Sequence, residues 1–319
     1  MTTTGPGNRA PGATGAGGPR RARTPPPPPR DGVAHEVFGD LRCLLIAPRL
    51  LVLQVSHPVV GAGVADHSDF RADPWGRLLT TLLSLTTVVY GTPEESRAEA
   101  RRLRRLHAAM TGTDDTGRPY RALDPEAYAW VHATLVMGPV DAMALFGTPL
   151  TGERLETYHR ELREVGRIWG IADHRLPPDP AAFEARYAET VARRLGDNRA
   201  VRDVLEALAH PTPPVRRIPT APWRALTRPV TRRLTLVTVG TLPPILRERL
   251  GLPWTPRDER DLRRLARRVR LLVEPLPGPV RLALPPLLLR LAAHRRARAA
   301  RAARRAAGPT HNGPSTRSR

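Results

Sequence analysis

The side chains best suited to chemistry lie between His57 and His132, where histidines, an arginine and two threonines are set among apolar residues. His107 follows Leu103 by four positions and precedes Met110 by three, so its imidazole falls on the apolar stripe of a predicted helix. An imidazole in an apolar interior either makes a hydrogen bond or binds a metal or haem. The spacing by itself favours the hydrogen-bonded core histidine.

Arg77, Thr80 and Thr81 form the second candidate group. Their spacing of i, i+3 and i+4 places them on one face of a predicted helix that begins at Pro74. An arginine buried there would need an anionic partner, because an unpaired interior charge is costly. That partner is either an Asp or Glu in a structural salt bridge or an anionic group of a ligand, and the threonines either face the ligand or bond to helix carbonyls.

His57 and His132 are the remaining candidate ligands. Pro58 follows His57 and favours an extended backbone or a helix end there, whereas His132 lies within a predicted apolar helix. His67 belongs to a polar stretch that we expect in an exposed loop. The sequence has no HExxH motif and no paired CxxC motif, so these histidines match no standard metal-binding pattern.

The helices that must position these residues carry a repeated start signal, a short polar residue followed by proline at the first helical position. It occurs at Asp73-Pro74, Thr92-Pro93, Asp124-Pro125, Asp179-Pro180 and Thr255-Pro256. Thr92 with Glu95 also has the pattern of a capping box, and Thr151 is expected to cap a further helix. The sequence has no alternating run long enough for a strand and therefore predicts an all-α fold, in which the proline-rich residues 211–229 form a loop or a lobe boundary.

The net charge of +21 suggests nucleic-acid binding, but most of it lies at the two ends of the chain. Residues 1–32 are rich in Gly, Pro, Ala and Thr, and residues 290–319 are mostly Arg, Ala and small polar residues. Together they carry +13 of the charge and leave +8 for residues 33–289. The composition therefore predicts two disordered tails around one helical domain.

Composition also limits the partners and the compartment. All 51 basic residues are arginine and only 4% of residues are aromatic, which disfavours nucleic-acid binding. The single cysteine, Cys43, excludes an intramolecular disulfide and fits a cytoplasmic protein with an inert thiol.

The sequence contains no window of 18 uncharged apolar residues, so a membrane-spanning helix is not expected. Residues 282–305, apolar and then basic, leave peripheral membrane contact open, although a terminal helix with a solvated basic end is favoured.

In several ordered segments the sequence resembles the haem-dependent oxygenases that include the latex-clearing proteins (rubber oxygenases) and the mycophenolic-acid-pathway oxygenase MpaB. The segments are His57-Pro58-x-Val60-Gly61-Ala62-Gly63-Val64, Asp73-Pro74-x-Gly76-Arg77-Leu78-x-x-Thr81, Leu106-His107 before Gly112, Arg118-x-Tyr120-x-Ala122-x-Asp124-Pro125 followed by Trp130-Val131-His132-Ala133, and Leu242-Pro243-x-x-Leu246-Arg247. The resemblance spans about residues 33–290.

The resemblance implies an all-α fold around one haem b, with His107 as the proximal iron ligand and Arg77 and Thr81 beside the haem. His57 and His132 are further candidates for that pocket. Thr80 stands where rubber oxygenases have a lysine that can close the distal side. Gly61-Ala62-Gly63 stands near the position of their catalytic carboxylate, so polyisoprene cleavage by the same route is not expected.

We therefore expect an oxygenase that uses O2 or peroxide, and an electron donor, to oxidise or cleave an apolar substrate such as an isoprenoid or lipid. Hydroxyl and guanidinium donors at Thr80, Thr81 and Arg77 would stabilise developing charge on oxygen. Two alternatives remain open at the level of sequence. One is a haem carrier or sensor without turnover, and the other is a basic helical protein that binds nucleic acid or a membrane surface.

Overall fold

The structure is a computed structural model that describes residues 1–2, 25–68, 72–215 and 217–306. Fourteen α-helices and one small hairpin form this part of the chain, which confirms the all-α prediction. Most of the two predicted tails, residues 3–24 and 307–319, lies outside the described residues. The elements are α1 (Val33–Phe38), α2 (Cys43–Val55), α3 (Pro58–His67), α4 (Pro74–Tyr90), α5 (Pro93–Ala108), β1 (Thr111–Thr113), β2 (Pro119–Arg121), α6 (Pro125–Phe146), α7 (Gly152–Ile168), α8 (Pro180–Arg194), α9 (Arg199–Ala209), α10 (Thr220–Thr241), α11 (Pro244–Arg249), α12 (Pro256–Val273), α13 (Gly278–Arg281) and α14 (Leu284–Ala306).

All five predicted proline starts are confirmed as helix N-termini. The side chains of Asp73, Asp124 and Asp179 accept hydrogen bonds from first-turn amides. Thr92 and Thr255 form complete capping boxes with the acidic residue three positions later. These local bonds satisfy amides that have no partner inside the helix, which explains why the starts are readable from sequence.

The hairpin of β1 and β2 was not predicted. Its strands pair antiparallel, with Thr111 opposite Arg121. The Asp114 carboxylate accepts hydrogen bonds from the amides of Thr116 and Arg118 and so closes the turn. Strands of three residues are too short to show an alternating pattern in sequence.

The predicted loop over residues 211–229 is wrong in its second half, because α10 begins at Thr220 and continues through Pro229. Pro229 leaves the carbonyl of Ala225 without its helical partner, but Ala225 is exposed and water can satisfy that carbonyl.

The start of the predicted C-terminal tail, residue 290, also differs from the structure. Helix α14 continues through this residue to Ala306, and Ala292 packs beside Leu83 of α4.

The centre of the fold is the contact between α2 and α6. Trp130 Nε1 donates to the Leu53 carbonyl over 2.9 Å, in the middle of the largest apolar cluster. A Cβ at Gly138 would lie 2.7 Å from the Leu50 side chain, so the glycine permits this close helix crossing. The two helices are also joined by an ion pair between buried Arg49 and Asp141.

Helices α4 and α5 form an antiparallel pair beside this core. Ser84 Oγ donates to the Glu99 carboxylate over 2.5 Å, and Ser96 Oγ donates to the Val88 carbonyl over 2.8 Å. Although burial opposes ionisation, hydrogen bonds from Arg102 and Ser84 keep the pKa of Glu99 below its usual value. These contacts fix the register between the two helices.

By length and apolar composition, α6 could cross a membrane, and so could α2 and α3 if that bent pair is counted as one span. Just over half of the relevant stretch of α6, 56%, is buried inside the described fold. A central core helix passes the same test of length and composition.

Removal of the α6 cap tests its contribution to stability. We expect Asp124→Ala to lower the free energy of unfolding by about 1 kcal/mol, because its carboxylate accepts from the amides of both Glu126 and Ala127. Thr151→Ala is the matched control, since Thr151 precedes α7 but makes no side-chain cap bond. Urea unfolding of both variants measures the difference, and equal losses would show that the Asp124 bonds add nothing.

Candidate functional site

His107 lies in the last turn of α5 and is half-buried. Its Nδ1 is 3.0 Å from the Tyr128 hydroxyl on α6, and the two rings meet edge to face with centroids 5.5 Å apart. This contact fixes the ring orientation and leaves Nε2 as the nitrogen that can bind another group. Among the described residues, Nε2 has no hydrogen-bond partner.

Arg77 lies beside His107 across the α4 and α5 pair. Because α4 and α5 run antiparallel and Ser84 contacts Glu99, Arg77, seven residues before Ser84, lies level with Leu106 and His107, seven and eight residues after Glu99. The charge of Arg77 also acts on the His107 imidazole, as expected for close neighbours. The structure therefore brings together two of the predicted site residues.

Arg77 does not need the anionic partner that a buried arginine would require, because it is exposed. Arg77, Thr80 and Thr81 are all exposed, because only the second half of α4, residues 83–90, enters the core. The buried arginines are instead Arg42 and Arg49, which have carboxylate partners.

The two threonines share the exposed face with Arg77 but make different contacts. Thr81 Oγ1 donates to the Arg77 carbonyl over 3.0 Å, which is the backbone bond that the sequence left open as an alternative. Thr80 has no hydrogen bond to another described residue. A ligand on this face would therefore meet the Thr80 hydroxyl without competition from the helix.

The electrostatics around His107 favour its neutral form. Burial lowers the pKa of His107 below its usual value, and the cations of Arg77 and Arg102 lower it further. A neutral imidazole has a lone pair available on one ring nitrogen, which is what a metal-binding histidine needs. With Nδ1 facing Tyr128, a proton on Nδ1 leaves that lone pair on Nε2.

Apolar side chains surround this site on the outer surface. Leu78 on α4 is 46% exposed and Leu106 on α5 is 41% exposed, next to Arg77 and His107. Trp75, one turn before Leu78, is 42% exposed and donates from Nε1 to the Thr212 carbonyl. Half-exposed leucines beside an imidazole whose Nε2 has no partner among the described residues form a surface that a flat apolar group could cover.

His132 lies apart from this surface, in the core. Its Nε2 is 2.8 Å from the Leu162 carbonyl and its ring meets Trp169 edge to face, with centroids 5.9 Å apart. Burial lowers the pKa of His132 to about 4, so the ring is neutral and donates from Nε2. This is the hydrogen-bonded core histidine that was the alternative to a ligand, and its proposed cofactor contact remains a prediction.

His57 is also buried, at the start of α3. Its Nδ1 has no hydrogen-bond partner among the described residues, and burial lowers its pKa. The carboxylates of Asp124 and Glu126, at the start of α6, oppose this lowering, and Arg194 adds to it. Among the described residues no hydrogen bond or ring contact joins His57 to His107, so the cofactor role of His57 is likewise still a prediction.

Sequence analysis missed Tyr128, the direct partner of His107. The sequence does contain a signal for Tyr128. It lies four residues before His132 and so shares a helix face with core residues. The pairing itself depends on how α5 crosses α6. Within the described part of the chain, no three His, Cys, Asp or Glu side chains come together as a metal site.

A profile described as ER-bound oxygenase mpaB/B'/Rubber oxygenase, catalytic domain, matches residues 35–271. The chain belongs to this family. The match confirms the resemblance of the ordered segments and supports oxygenase activity for this MpaB and rubber oxygenase relative. No curated protein and no solved structure was found to match the chain.

The influence of Arg77 on His107 can be measured directly. We expect Arg77→Gln to raise the pKa of His107, because a cation that disfavours the imidazolium is removed. Arg105→Gln is the control, as Arg105 lies on the same helix as His107 but does not contribute to its shift. Titration of the His107 ring signals by NMR in the ligand-free protein gives both values, and an unchanged pKa in Arg77→Gln would contradict the proximity.

Proposed function

We propose that this protein is a haem b-dependent oxygenase of the MpaB and rubber oxygenase family, with His107 as the axial iron ligand. The observation that carries the proposal is the half-buried His107, held through Nδ1 by Tyr128 with Nε2 left for a ligand. Metal-binding histidines commonly have such a partner on their other nitrogen, which sets the tautomer and the ring orientation.

The surroundings of His107 suit a tetrapyrrole. Leu78 and Leu106 offer apolar surface on both helices of the pair, and Arg77 supplies a cation for a carboxylate on the same side. A guanidinium suits such a carboxylate because it can donate two parallel hydrogen bonds. One imidazole is sufficient as the protein ligand because the macrocycle supplies the other nitrogens.

A bound haem would supply the site for O2 or peroxide activation. The residues of this chain would orient, pair and shield it. In the ligating tautomer Tyr128 would accept the Nδ1 proton of His107, and Arg77 would pair with an anionic edge of the haem. The Thr80 hydroxyl offers a hydrogen bond at the surface position where rubber oxygenases carry a lysine, and Thr81 is already bonded to the helix backbone.

We further propose an apolar substrate, isoprenoid or lipid-like, that reaches the site from the open side. The support is the row of partly exposed apolar side chains Trp75, Leu78 and Leu106 beside His107. Burial of such surface against a hydrocarbon is favourable at about 25 cal/mol per Å2. An electron donor is also expected when O2 is the oxidant.

The ligand assignment is tested by the absorption spectrum. We expect haem-reconstituted protein to show a Soret band that His107→Ala abolishes, because Nε2 of His107 would be the only protein ligand. Tyr128→Phe should keep the band but weaken haem affinity by about 10-fold or more, the usual loss when the hydrogen-bond partner of a ligating histidine is removed.

His67→Ala serves as the control, since the ring of His67 contacts the Thr111 carbonyl over 3.3 Å and not the Tyr128 hydroxyl. Its spectrum should match that of the parent protein. Far-UV circular dichroism establishes that each variant is folded. A folded His107→Ala protein with full haem retention would refute the assignment, whatever its activity.

Turnover distinguishes an oxygenase from a haem carrier or sensor. We expect product formation from isoprenoids or long-chain lipids with either peroxide or O2 and a reductant, and a loss of at least 100-fold in Leu78→Arg, which places a charge on the apolar surface. Leu44→Arg on α2 is the control, because Leu44 is exposed to a similar extent, 38% against 46%. Haem retention without product from any of these substrates would favour the carrier.

A further inference from the structure

A cationic cleft separate from the His107 site lies between α10 and α12. Its volume is about 460 Å3. Five arginines from the two helices line it: Arg228, Arg232, Arg233, Arg264 and Arg268. The floor is apolar, formed by Leu236 and Leu265.

The charge of this cleft is poorly compensated. Its one carboxylate, Asp261, pairs with Arg264 over 2.5 Å. Arg228, Arg233 and Arg268 form no ion pair with a carboxylate of the described residues, whereas the charge of Arg232 also acts on Asp258. Like charges at such close quarters repel one another and raise the local concentration of anions. The cleft therefore suits a surface with several negative groups.

Exposed aliphatic side chains continue the cleft at one end. Leu236 of α10 and Leu265 of α12 both line the cleft. Further along α10, a Cβ at Gly240 would lie 2.7 Å from Leu262, which is earlier on α12. The two helices therefore run antiparallel. This direction brings the first half of α10 level with the last turn of α12. Leu272, 73% exposed, follows Arg268 by four residues and so lies on the same face of α12.

Three more aliphatic residues belong to this end of the helix pair. Leu226 is 75% exposed and Val230 is 56% exposed on α10, while Leu271 is 67% exposed on α12. Four large aliphatic side chains, each more than half exposed beside arginines that mostly have no carboxylate partner, form an amphipathic surface. We call these four residues and the five cleft arginines the α10–α12 surface.

We propose that the α10–α12 surface docks the protein on an anionic lipid bilayer. The arginines contact lipid phosphates, while Leu226, Val230, Leu271 and Leu272 enter the outer part of the acyl layer. A nucleic acid would use the arginines but would leave the four aliphatic side chains in water. The bilayer therefore accounts for both halves of the surface, and this role does not depend on the haem proposal.

The arrangement of α14 makes the assignment more specific. The sequence of residues 282–305 is compatible with membrane contact, but Leu288 and Ala292 of that segment are buried against Leu83 of α4. These residues are unavailable to lipid while α14 is packed. The docking surface is thus provided by a different pair of helices.

Co-sedimentation with vesicles tests the proposal on the full chain. We expect binding to phosphatidylcholine vesicles that contain phosphatidylglycerol, little binding to phosphatidylcholine alone, and weaker binding as salt increases. Charge reversal at Arg228, Arg232 and Arg268 to Glu should lower the partition coefficient by about 100-fold or more, given the attraction of each arginine to an anionic membrane. Thermal melts establish that the variant is folded.

The matched control reverses the same number of charges elsewhere. Arg295, Arg298 and Arg301 are exposed on the basic half of α14, and their change to Glu should reduce binding much less. If this control loses as much binding as the cleft variant, or more, the attraction is a general effect of charge and the proposal is overturned.

A second pair of variants separates lipid from other anions. Leu271→Asn with Leu272→Asn should weaken vesicle binding at least 10-fold without a change in net charge, whereas Leu287→Asn on α14 should not. The docking proposal is also overturned if a duplex oligonucleotide binds more tightly than the vesicles, or if soluble glycerol phosphate releases the protein from them.

Discussion

The crossing of α2 and α6 is the contact on which the rest of this structure depends. The missing side chain of Gly138 lets Leu50 approach, and Trp130 closes the contact by donating to the Leu53 carbonyl. α6 then extends from the core toward α5 and presents Tyr128 to His107. The packing that stabilises the domain therefore also sets the orientation of the imidazole at its edge, so the core and the site are parts of one arrangement.

The α4 and α5 pair explains why the site lies at the surface. The second half of α4 is buried, and its serine contacts with α5 fix the register, while the first half extends past the core with Arg77 and Leu78 exposed. An imidazole held at such an edge can be reached by a large flat ligand and by an apolar substrate. In this protein the open side follows from where the core ends along α4.

Features set by neighbours in sequence were predicted well. The aspartate and threonine caps, such as Asp124, bond to amides two or three residues ahead, so their signal is local and readable. Predictions that depended on burial were less successful. The sequence left open whether Arg77 is buried, and it is exposed, whereas Arg42 is buried with Asp40 and the distant Glu274 both paired to it. The second half of the loop expected over residues 211–229 is helical, and Pro229 is tolerated there because the affected carbonyl faces water.

The sequence by itself determined the helix starts, the all-α class and the presence of His107 on an amphipathic helix, because each depends on residues within one or two turns. Membership of an oxygenase family also follows from sequence. Only the tertiary structure decided that Tyr128 orients His107 while His132 is bonded to the Leu162 carbonyl in the core. Both histidines lie on apolar helix faces, and what distinguishes them is a partner brought near by helix packing, which no local pattern encodes.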